Sequence, residues 1–374
     1  MRKNPTKNTD MRLLVIRTSA MGDVALTTPV LTGMRRQYPD VELVILTRSA
    51  FNPFFSSADG IRLFLPDLKG RHKGFFGLVR LFIDIQKEGE FDHIIDLHDV
   101  LRSRILGLLF RLKGVPVAII DKGRKQKKDV INGKNKSVLK QSVVRYCDTF
   151  TKAGFPVAPS VGPWIIPSSD ALDKISGMIE TGSVLNIGVA PYAKHDLKMW
   201  PEEFMLKLLG MIAENRRVKF WLFGGNEDVV MLDSFTERSK GSFSTAGKLR
   251  LEEELALMSR LDFMIAMDSS NMHMAALVGT KVISIWGGTD PLTGFGAWQQ
   301  PKDFSVRIPV EELTCRPCTV FGKGKCRRGD FACMMWLKPE KVYEKLINLK
   351  LLISHSPDGI SPRSSVEEHP LKGV

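Results

Sequence analysis

The sequence predicts an α/β protein built from two Rossmann-like domains in tandem. Short apolar runs typical of buried strands alternate with helical segments along the 374 residues, a pattern that indicates parallel sheets covered on both faces. The alternation stops at a stretch rich in proline and glycine, residues 155–169, and then restarts. The length suits two domains of ordinary size.

The first domain, residues 11–168, is predicted to contain five strands with helical patterns between them. The strands are expected at 11–17, 41–47, 61–65, 91–97 and 115–120. The first helix should begin near Gly22.

The second domain, residues 169–338, repeats this plan. Its strands are expected at 184–190, 218–224, 261–267 and 281–286. Helices should begin near Pro201, Glu227, Leu251 and Ser270, and Pro201 suits a first helical turn because its missing N–H needs no partner there. A further helix is predicted at 339–353, followed by a polar tail, 354–374, that we expect to be disordered.

Charge is unevenly distributed along the chain. The formal net charge is +13, and residues 1–170 hold 28 Lys/Arg against 16 Asp/Glu, whereas residues 171–374 hold 26 against 25. This asymmetry indicates an anionic partner such as a phosphorylated glycolipid, a membrane surface or nucleic acid, although a merely solvated surface would also account for it. No apolar run approaches the ~20 residues of a membrane span, and the N-terminus lacks a signal peptide's apolar block. We therefore expect a cytoplasmic protein.

Polar residues cluster after two predicted strands of the second domain, in "DSSNMHMAALVGTKVISIWGGTDP" (268–291). Asp268 follows one strand, Ser269 to Asn271 open the next helix, and "GGTDP" follows the neighbouring strand. Ligands of open parallel sheets bind outside the carboxyl ends of strands, and the N–H groups of a helix N-terminus favour an anion such as diphosphate. We expect a ligand site at this edge, although helix capping alone would also explain Asp268.

Four segments resemble the bacterial family 9 glycosyltransferases, which include the ADP-heptose:lipopolysaccharide heptosyltransferases. They are "RTSAMGDVALTTPVL" (17–31), "KMWPEEF" (198–204), "FGGNED" (223–228) and residues 268–291. The resemblance implies the GT-B architecture, two Rossmann-like domains whose parallel sheets face each other across a cleft. It also implies acceptor binding mainly to the first domain, donor binding to the second, and a C-terminal helix that crosses back to the first domain.

The resemblance assigns catalytic roles to two residues. Its Gly-Asp pair after the first strand corresponds to Gly22-Asp23, and the aspartate is implied to deprotonate the acceptor hydroxyl. Taken alone, Asp23 would also suit a helix N-terminus. The family's lysine before Trp-Pro corresponds to Lys198, with one Met inserted before Trp200, and its cation would neutralise the departing diphosphate. Lys194, four residues earlier, is the alternative.

Donor-binding residues are implied in the second domain. Glu227, which follows Gly225, would hydrogen-bond the ribose, and Leu249 would line the base pocket. Asp268 would hold the donor sugar hydroxyls, with His273 nearby. The remaining donor-binding candidates are Ser269, Ser270, Asn271, Gly287 and Thr289.

The sequence departs from the family at Ser270-Asn271, where Gly-Pro or Gly-Leu is common. A serine where glycine allows close backbone approach is expected to reshape the donor pocket. We still expect the protein to bind a nucleotide sugar, but the sequence does not identify its sugar or its base.

Four of the five cysteines cluster, at Cys315, Cys318, Cys326 and Cys333. The opening C-x-x-C has a zinc-ligand spacing, but the second pair is not a usual zinc knuckle. A structural zinc, disulfides and reduced cysteines that pack a loop are the alternatives. No cofactor is expected for catalysis, because the family resembled here stabilises its leaving group with helix N-termini and basic side chains.

Two basic stretches of the first domain are candidates for acceptor binding. Residues 69–89 combine cations with large apolar side chains. Such a segment can lie at a membrane interface, although a helix that packs its apolar side on the sheet is the alternative. Residues 121–129 are predicted to form a solvated basic loop that meets acceptor phosphates or carboxylates. The acceptor-binding candidates are therefore Gly22, Arg71, Lys73 and Arg124.

We therefore predict an inverting glycosyltransferase that moves a heptose or related sugar from ADP-heptose or a similar nucleotide sugar. The acceptor would be an anionic glycolipid, a lipopolysaccharide core or other cell-envelope glycan, at the inner face of the cytoplasmic membrane. A nucleotide-sugar epimerase of similar shape and a basic nucleic-acid-binding protein are the alternatives. Nucleic acid is not the expected partner, because no stacking-aromatic or zinc-finger pattern is present.

Overall fold

The structure, a computed structural model, describes residues 11–56, 58 and 60–352. The predicted tail, 354–374, lies outside the described residues. The described chain forms two parallel sheets flanked by helices, which confirms the predicted α/β class. Within this part of the chain, every helix is too short or too polar to traverse a bilayer.

The first sheet has five parallel strands in the spatial order β3-β2-β1-β4-β5. The strands are β1 (Arg12–Ile16), β2 (Glu42–Leu46), β3 (Ile61–Phe64), β4 (His93–Asp96) and β5 (Val117–Ile119). The strand order reverses between β1 and β4. In sheets of this kind, the carboxyl ends of the strands at the reversal open the crevice that binds ligands.

The second sheet has six parallel strands in the order β11-β10-β9-β6-β7-β8. They are β6 (Leu185–Ala190), β7 (Val218–Leu222), β8 (Ser242–Ser244), β9 (Phe263–Met267), β10 (Val282–Ile285) and β11 (Ser305–Val306). Every residue of β6, β9 and β10 is buried, as expected when helices cover both faces of a sheet. Here the order reverses between β6 and β9, so a second ligand crevice opens at their carboxyl ends.

Thirteen α-helices cover the two sheets within the described residues. They are α1 (Met21–Ala25), α2 (Thr28–Gln37), α3 (Gly74–Lys87), α4 (Leu101–Leu112), α5 (Arg124–Ile131), α6 (Ser142–Lys152), α7 (Ser169–Ile175), α8 (Glu202–Asn215), α9 (Val229–Arg238), α10 (Leu251–Met258), α11 (Ser270–Leu277), α12 (Ala332–Met335) and α13 (Pro339–Asn348).

The two halves of the chain share an apolar core. Helix α1, which follows β1, packs against α11, which follows β9. Buried side chains from both halves, among them Val24, Phe51 and Met272, form one continuous cluster. Because α1 and α11 each begin at the carboxyl end of a strand, their contact brings the two ligand-binding edges together.

The C-terminal helix differs from its prediction. Helix α13 packs on α8 of the second half, and Val342 and Leu346 are buried in that half's core, so the predicted crossing back to the first domain is wrong for this helix. It also ends at Asn348 rather than 353. Residues 351 and 352 remain in the same core.

Candidate active site

The predicted base lies at the carboxyl end of β1, on the short helix α1. Asp23 Oδ2 is 2.5 Å from Arg17 Nη2, and 30% of the Asp23 side chain remains exposed. Arg17 is buried and also donates to the Leu97 carbonyl at 2.5 Å. The Tyr146 hydroxyl donates to the Asp23 main-chain oxygen at 3.1 Å. The carboxylate is therefore held in one orientation while an edge stays accessible.

A histidine that sequence reasoning missed lies beside this pair, just after β4. His98 Nδ1 is 3.2 Å from Thr18 Oγ1, and its Nε2 is 3.1 Å from Ser19 Oγ. Burial, together with the charge of Arg17, lowers the pKa of His98 to about 3, so the ring is neutral at physiological pH. The polar sequence "DLHD" at the end of the predicted strand 91–97 was the available signal.

Cations from the 121–129 segment surround the same edge. Lys122 Nζ donates to the Asp99 carbonyl at 3.2 Å, and Arg124 Nη2 donates to Asp99 Oδ2 at 2.7 Å. The segment is not the solvated loop that was predicted, because residues from Arg124 onward form α5 and Lys127 is buried. Burial, reinforced by Arg145, lowers the pKa of Lys127 to about 8.

Lys127 also reaches the second half of the chain, with its Nζ 4.1 Å from the centroid of the Phe295 ring. The charges of Lys122 and Lys127 both interact with that of Asp23. An anionic acceptor approaching Asp23 would therefore enter a positive potential.

The other two basic acceptor candidates lie elsewhere, at the start of α3. Arg71 makes two hydrogen bonds to Asp84, Nε to Oδ2 at 2.7 Å and Nη2 to Oδ1 at 3.1 Å. Lys73 is exposed and immediately precedes the helix. Among the described residues, no hydrogen bond or ion pair joins either of them to Asp23.

The donor candidates of the second half meet at the carboxyl ends of β6 and β9. Lys198 Nζ is 2.9 Å from Asp268 Oδ2, and the two side chains are only 16% and 7% exposed. Lys194, the alternative cation, is exposed. The structure therefore places Lys198, and not Lys194, against the aspartate implied to hold the donor sugar.

Three buried polar atoms at this edge have no hydrogen-bond partner among the described residues. They are Ser269 Oγ, His273 Nδ1 and Thr289 Oγ1. Buried polar groups are nearly always satisfied, so an unpaired one calls for an explanation. All three belong to predicted donor-binding residues, and Ser270 and Asn271 form the first turn of α11 between them.

The two edges touch at Gly22, which is buried in the contact between α1 and α11. A Cβ at this position would lie 3.0 Å from His273 Cδ2 and 3.3 Å from the Ser270 Cα. His273 interacts electrostatically with Asp23, Asp268 and Lys198, and burial lowers the pKa of this histidine. Gly22, predicted to bind acceptor, thus lies in the contact between the two halves, and this contact brings the candidate base Asp23 close to the donor candidate His273.

The candidate nucleotide end of the site lies at β7 and β8. Gly225 N donates to Asp228 Oδ2 at 2.8 Å, Glu227 is exposed beside it, and Leu249 is partly buried. Sequence reasoning missed Glu254 on α10, whose Oε1 accepts from Thr245 Oγ1 at 3.5 Å. Burial raises the pKa of Glu254 to about 8.

The loop after β10 is held by hydrogen bonds to Leu197 and to Arg316, which lies between two of the clustered cysteines. Gly288 N donates to the Leu197 carbonyl at 2.8 Å, which ties the loop to the turn that carries Lys198. The buried Arg316 donates from Nε to the Gly287 carbonyl at 2.6 Å and from Nη2 to the Thr289 carbonyl at 3.0 Å. These contacts fix the backbone around Thr289.

All five cysteines are free thiols. Burial raises the pKa of Cys318, and raises that of Cys333 to about 11. No three His, Cys, Asp or Glu side chains in the described part of the chain are grouped to hold a metal ion. A structural zinc at the four clustered cysteines stays a prediction.

Comparison of the sequence with known proteins agrees with the kind of site described above. Residues 80–320 match the family described as glycosyltransferase family 9 (heptosyltransferase). Lipopolysaccharide heptosyltransferase 1 of Escherichia coli (strain K12) is 23% identical over 331 residues, which are 81% of this chain and 95% of that relative.

Solved structures share the fold. The glycosyl transferase family 9 structure from Veillonella parvula DSM 2008 matches with a TM-score of 0.71 at 19% identity, covering 93% of this chain and 99% of that one. E. coli ADP-heptose lps heptosyltransferase II matches with a TM-score of 0.66 at 17% identity, covering 91% and 98%. These likenesses confirm the predicted GT-B architecture.

Proposed function

The chain belongs to glycosyltransferase family 9, and we propose that it is an inverting heptosyltransferase. The proposed donor is ADP-heptose, and the proposed acceptor is a lipopolysaccharide core or other anionic envelope glycolipid at the cytoplasmic face of the inner membrane. The observation that carries the proposal is the packing of α1 on α11, which sets Gly22, the neighbour of Asp23, against His273. The Lys198–Asp268 pair lies at the start of the same helix α11. The names of the relatives support heptose and ADP.

In the proposed reaction, Asp23 serves as the base. The acceptor oxygen forms a bond to the anomeric carbon as its proton passes to the Asp23 carboxylate. The bond between that carbon and the diphosphate oxygen breaks, and ADP leaves with the electron pair. Attack from the side opposite the leaving group inverts the anomeric configuration. Arg17 orients the carboxylate through its ion pair.

The second half would bind the donor and stabilise the departing diphosphate. The N–H groups at the start of α11 point toward an anion bound there, as helix N-termini do. Lys198 retains two further N–H donors beyond its bond to Asp268, and these could reach a phosphate oxygen. Ser269 Oγ, His273 Nδ1 and Thr289 Oγ1 supply unused hydrogen-bonding capacity at the same place. In this proposal the charge of the leaving group is met without a metal ion.

The donor is identified by a thermal-shift screen of the purified protein with ADP-, UDP-, GDP- and CMP-sugars. We expect ADP-heptose to raise the melting temperature most, because a ligand that binds only the folded state stabilises it more the tighter it binds. ADP release should then require a glycan acceptor and persist in EDTA. Stabilisation by another nucleotide sugar alone would refute the donor, and a changed sugar formed without acceptor would indicate an epimerase.

A further inference from the structure

Helices α3 and α4 expose apolar side chains on the side that faces away from the sheet. Phe75, Phe76, Leu101, Leu108 and Leu112 are each more than half exposed. The opposite sides of the same helices are buried in the core, through Leu81 and Leu106 among others. A helix that is apolar on both sides is normally covered on both sides, and contiguous exposed apolar patches mark interaction surfaces.

The exposed residues of α4 form a stripe. Leu101, Leu108 and Leu112 are spaced by seven and four residues, and this spacing places them on one face of the helix. Helices α3 and α4 pack side by side on the first sheet, with the rings of Phe82 and Phe110 4.9 Å apart. Their outer sides therefore form one surface, here called the α3–α4 face.

The α3–α4 face is strongly cationic. Residues 69–87 contain five Lys/Arg and one Asp, and residues 101–113 contain four Lys/Arg and no acidic residue. Arg71 and Lys87 form ion pairs with Asp84, and Arg104 forms one with Asp99, which precedes α4. The six other cations of these two segments, which have no ion pair among the described residues, give the two helices and their flanks a net positive charge; they are Lys69, Lys73, Arg80, Arg102, Arg111 and Lys113.

We propose that the α3–α4 face docks on an anionic lipid bilayer. Apolar side chains that enter the interface and cations that meet lipid phosphates are the two contributions that hold peripheral proteins on membranes. Both helices begin at the carboxyl edge of the first sheet, the edge that also carries Asp23. Docking would thus bring the cleft close to a lipid-linked acceptor, which is the one respect in which the inference rests on the proposed function.

Co-sedimentation of the full chain with vesicles tests this surface without donor or acceptor. The wild type should bind anionic vesicles, made of phosphatidylethanolamine with about 30 mol% phosphatidylglycerol, far better than vesicles of pure phosphatidylcholine. Leu108→Glu/Leu112→Glu should lower the partition coefficient at least about tenfold, because each change removes apolar contact and adds a repelled charge. Val230→Glu/Ile347→Glu, with exposed apolar residues of the second half changed in the same way, should bind like the wild type.

Two further measurements complete the test. Both variants should melt like the wild type, and the Leu108→Glu/Leu112→Glu variant should still release ADP with a water-soluble acceptor fragment. Wild-type binding by this variant, or no vesicle binding by the wild type, would overturn the docking surface. If light scattering detects a dimer of the wild type but not of the Leu108→Glu/Leu112→Glu variant, and the wild type does not bind vesicles, the face binds a second copy of the chain. This result would also overturn the proposed membrane docking. Absence of transfer with intact vesicle binding would instead count against the proposed function alone.

Discussion

Lys198→Met is expected to lower the free energy of unfolding by about 3 kcal/mol, since it leaves Asp268 as an unpaired buried charge. Removing one partner of a buried ion pair costs about 3–5 kcal/mol. The pair is 2.9 Å apart, and because Lys198 is 16% exposed the cost should fall at the lower end of that range. Asp268→Asn should cost less, because the partly exposed ammonium left behind can still reach water.

Urea denaturation of four proteins measures the effect: the wild type, both single variants and the double variant. The double variant should lose at least about 1 kcal/mol less than the sum of the singles, because interacting residues are not additive. Lys194→Met is the matched control, since this exposed lysine lies four residues earlier and should change stability by less than about 0.5 kcal/mol. Equal stabilities of the Lys198→Met and Lys194→Met variants, or additive single effects, would refute the ion-pair reasoning.

The same pair of variants separates the two lysines as ligands of the diphosphate. A charged hydrogen bond contributes about 1.5–3 kcal/mol, so Lys198→Met should weaken ADP binding at least about tenfold, whereas Lys194→Met should not. Isothermal titration calorimetry gives both affinities. Loss of ADP binding in the Lys194→Met variant alone would reverse the assignment.

Three further changes test the rest of the site. Gly22→Val should lower the free energy of unfolding by about 2 kcal/mol and reduce kcat/KM, because the added Cβ would lie 3.0 Å from His273 Cδ2. Gly210→Val is the control, because Gly210 has open space around it, and it should change neither quantity much. Equal melting temperatures of the two variants would show that the contact between the halves is loose. Glu254 has a pKa of about 8 in the folded state against 4.5 when unfolded, so its contribution to stability falls as pH rises through that window. Glu254→Gln should therefore be about 4 kcal/mol more stable than the wild type at pH 8 and about equally stable near pH 4.5. A stability difference that does not change with pH would contradict the shift. Lys127 loses its charge as pH rises through about 8, so kcat/KM with an anionic acceptor should fall in that pH range. Lys127→Arg should shift this fall to higher pH. An unchanged pH profile would show that Lys127 does not contribute to acceptor binding.

The strands were predictable because burial on both faces leaves continuous apolar runs. Predicted boundaries for β6 and β9 fall within two residues of those observed. Strands β8 and β11 were missed because they have three and two residues, and the serines in them give no apolar run. The direction taken by α13 could not be predicted, since it depends on which half offers a matching apolar surface.

The site was predictable only where a strand end and a helix start adjoin in sequence, as at Asp268 and Ser269. The hydrogen bonds of Thr18 and Ser19 to His98 join the loop after β1 to a loop some 80 residues away, and no local pattern encodes them. The choice between Lys194 and Lys198 likewise depends on how one turn folds against β9. Gly22 matched a motif, but its close approach to His273 emerges only when the two halves are packed together.

The central claim is that Asp23 activates the acceptor across a cleft from an independently formed donor site. Asp23→Asn, measured for transfer rate and for donor affinity on the same preparation, tests it most directly. The rate should fall by about 10²–10⁴, the usual contribution of a general base, while the Kd for the donor sugar nucleotide changes less than about twofold. Transfer at the wild-type rate, or a loss of donor binding that parallels the loss of rate, would contradict it.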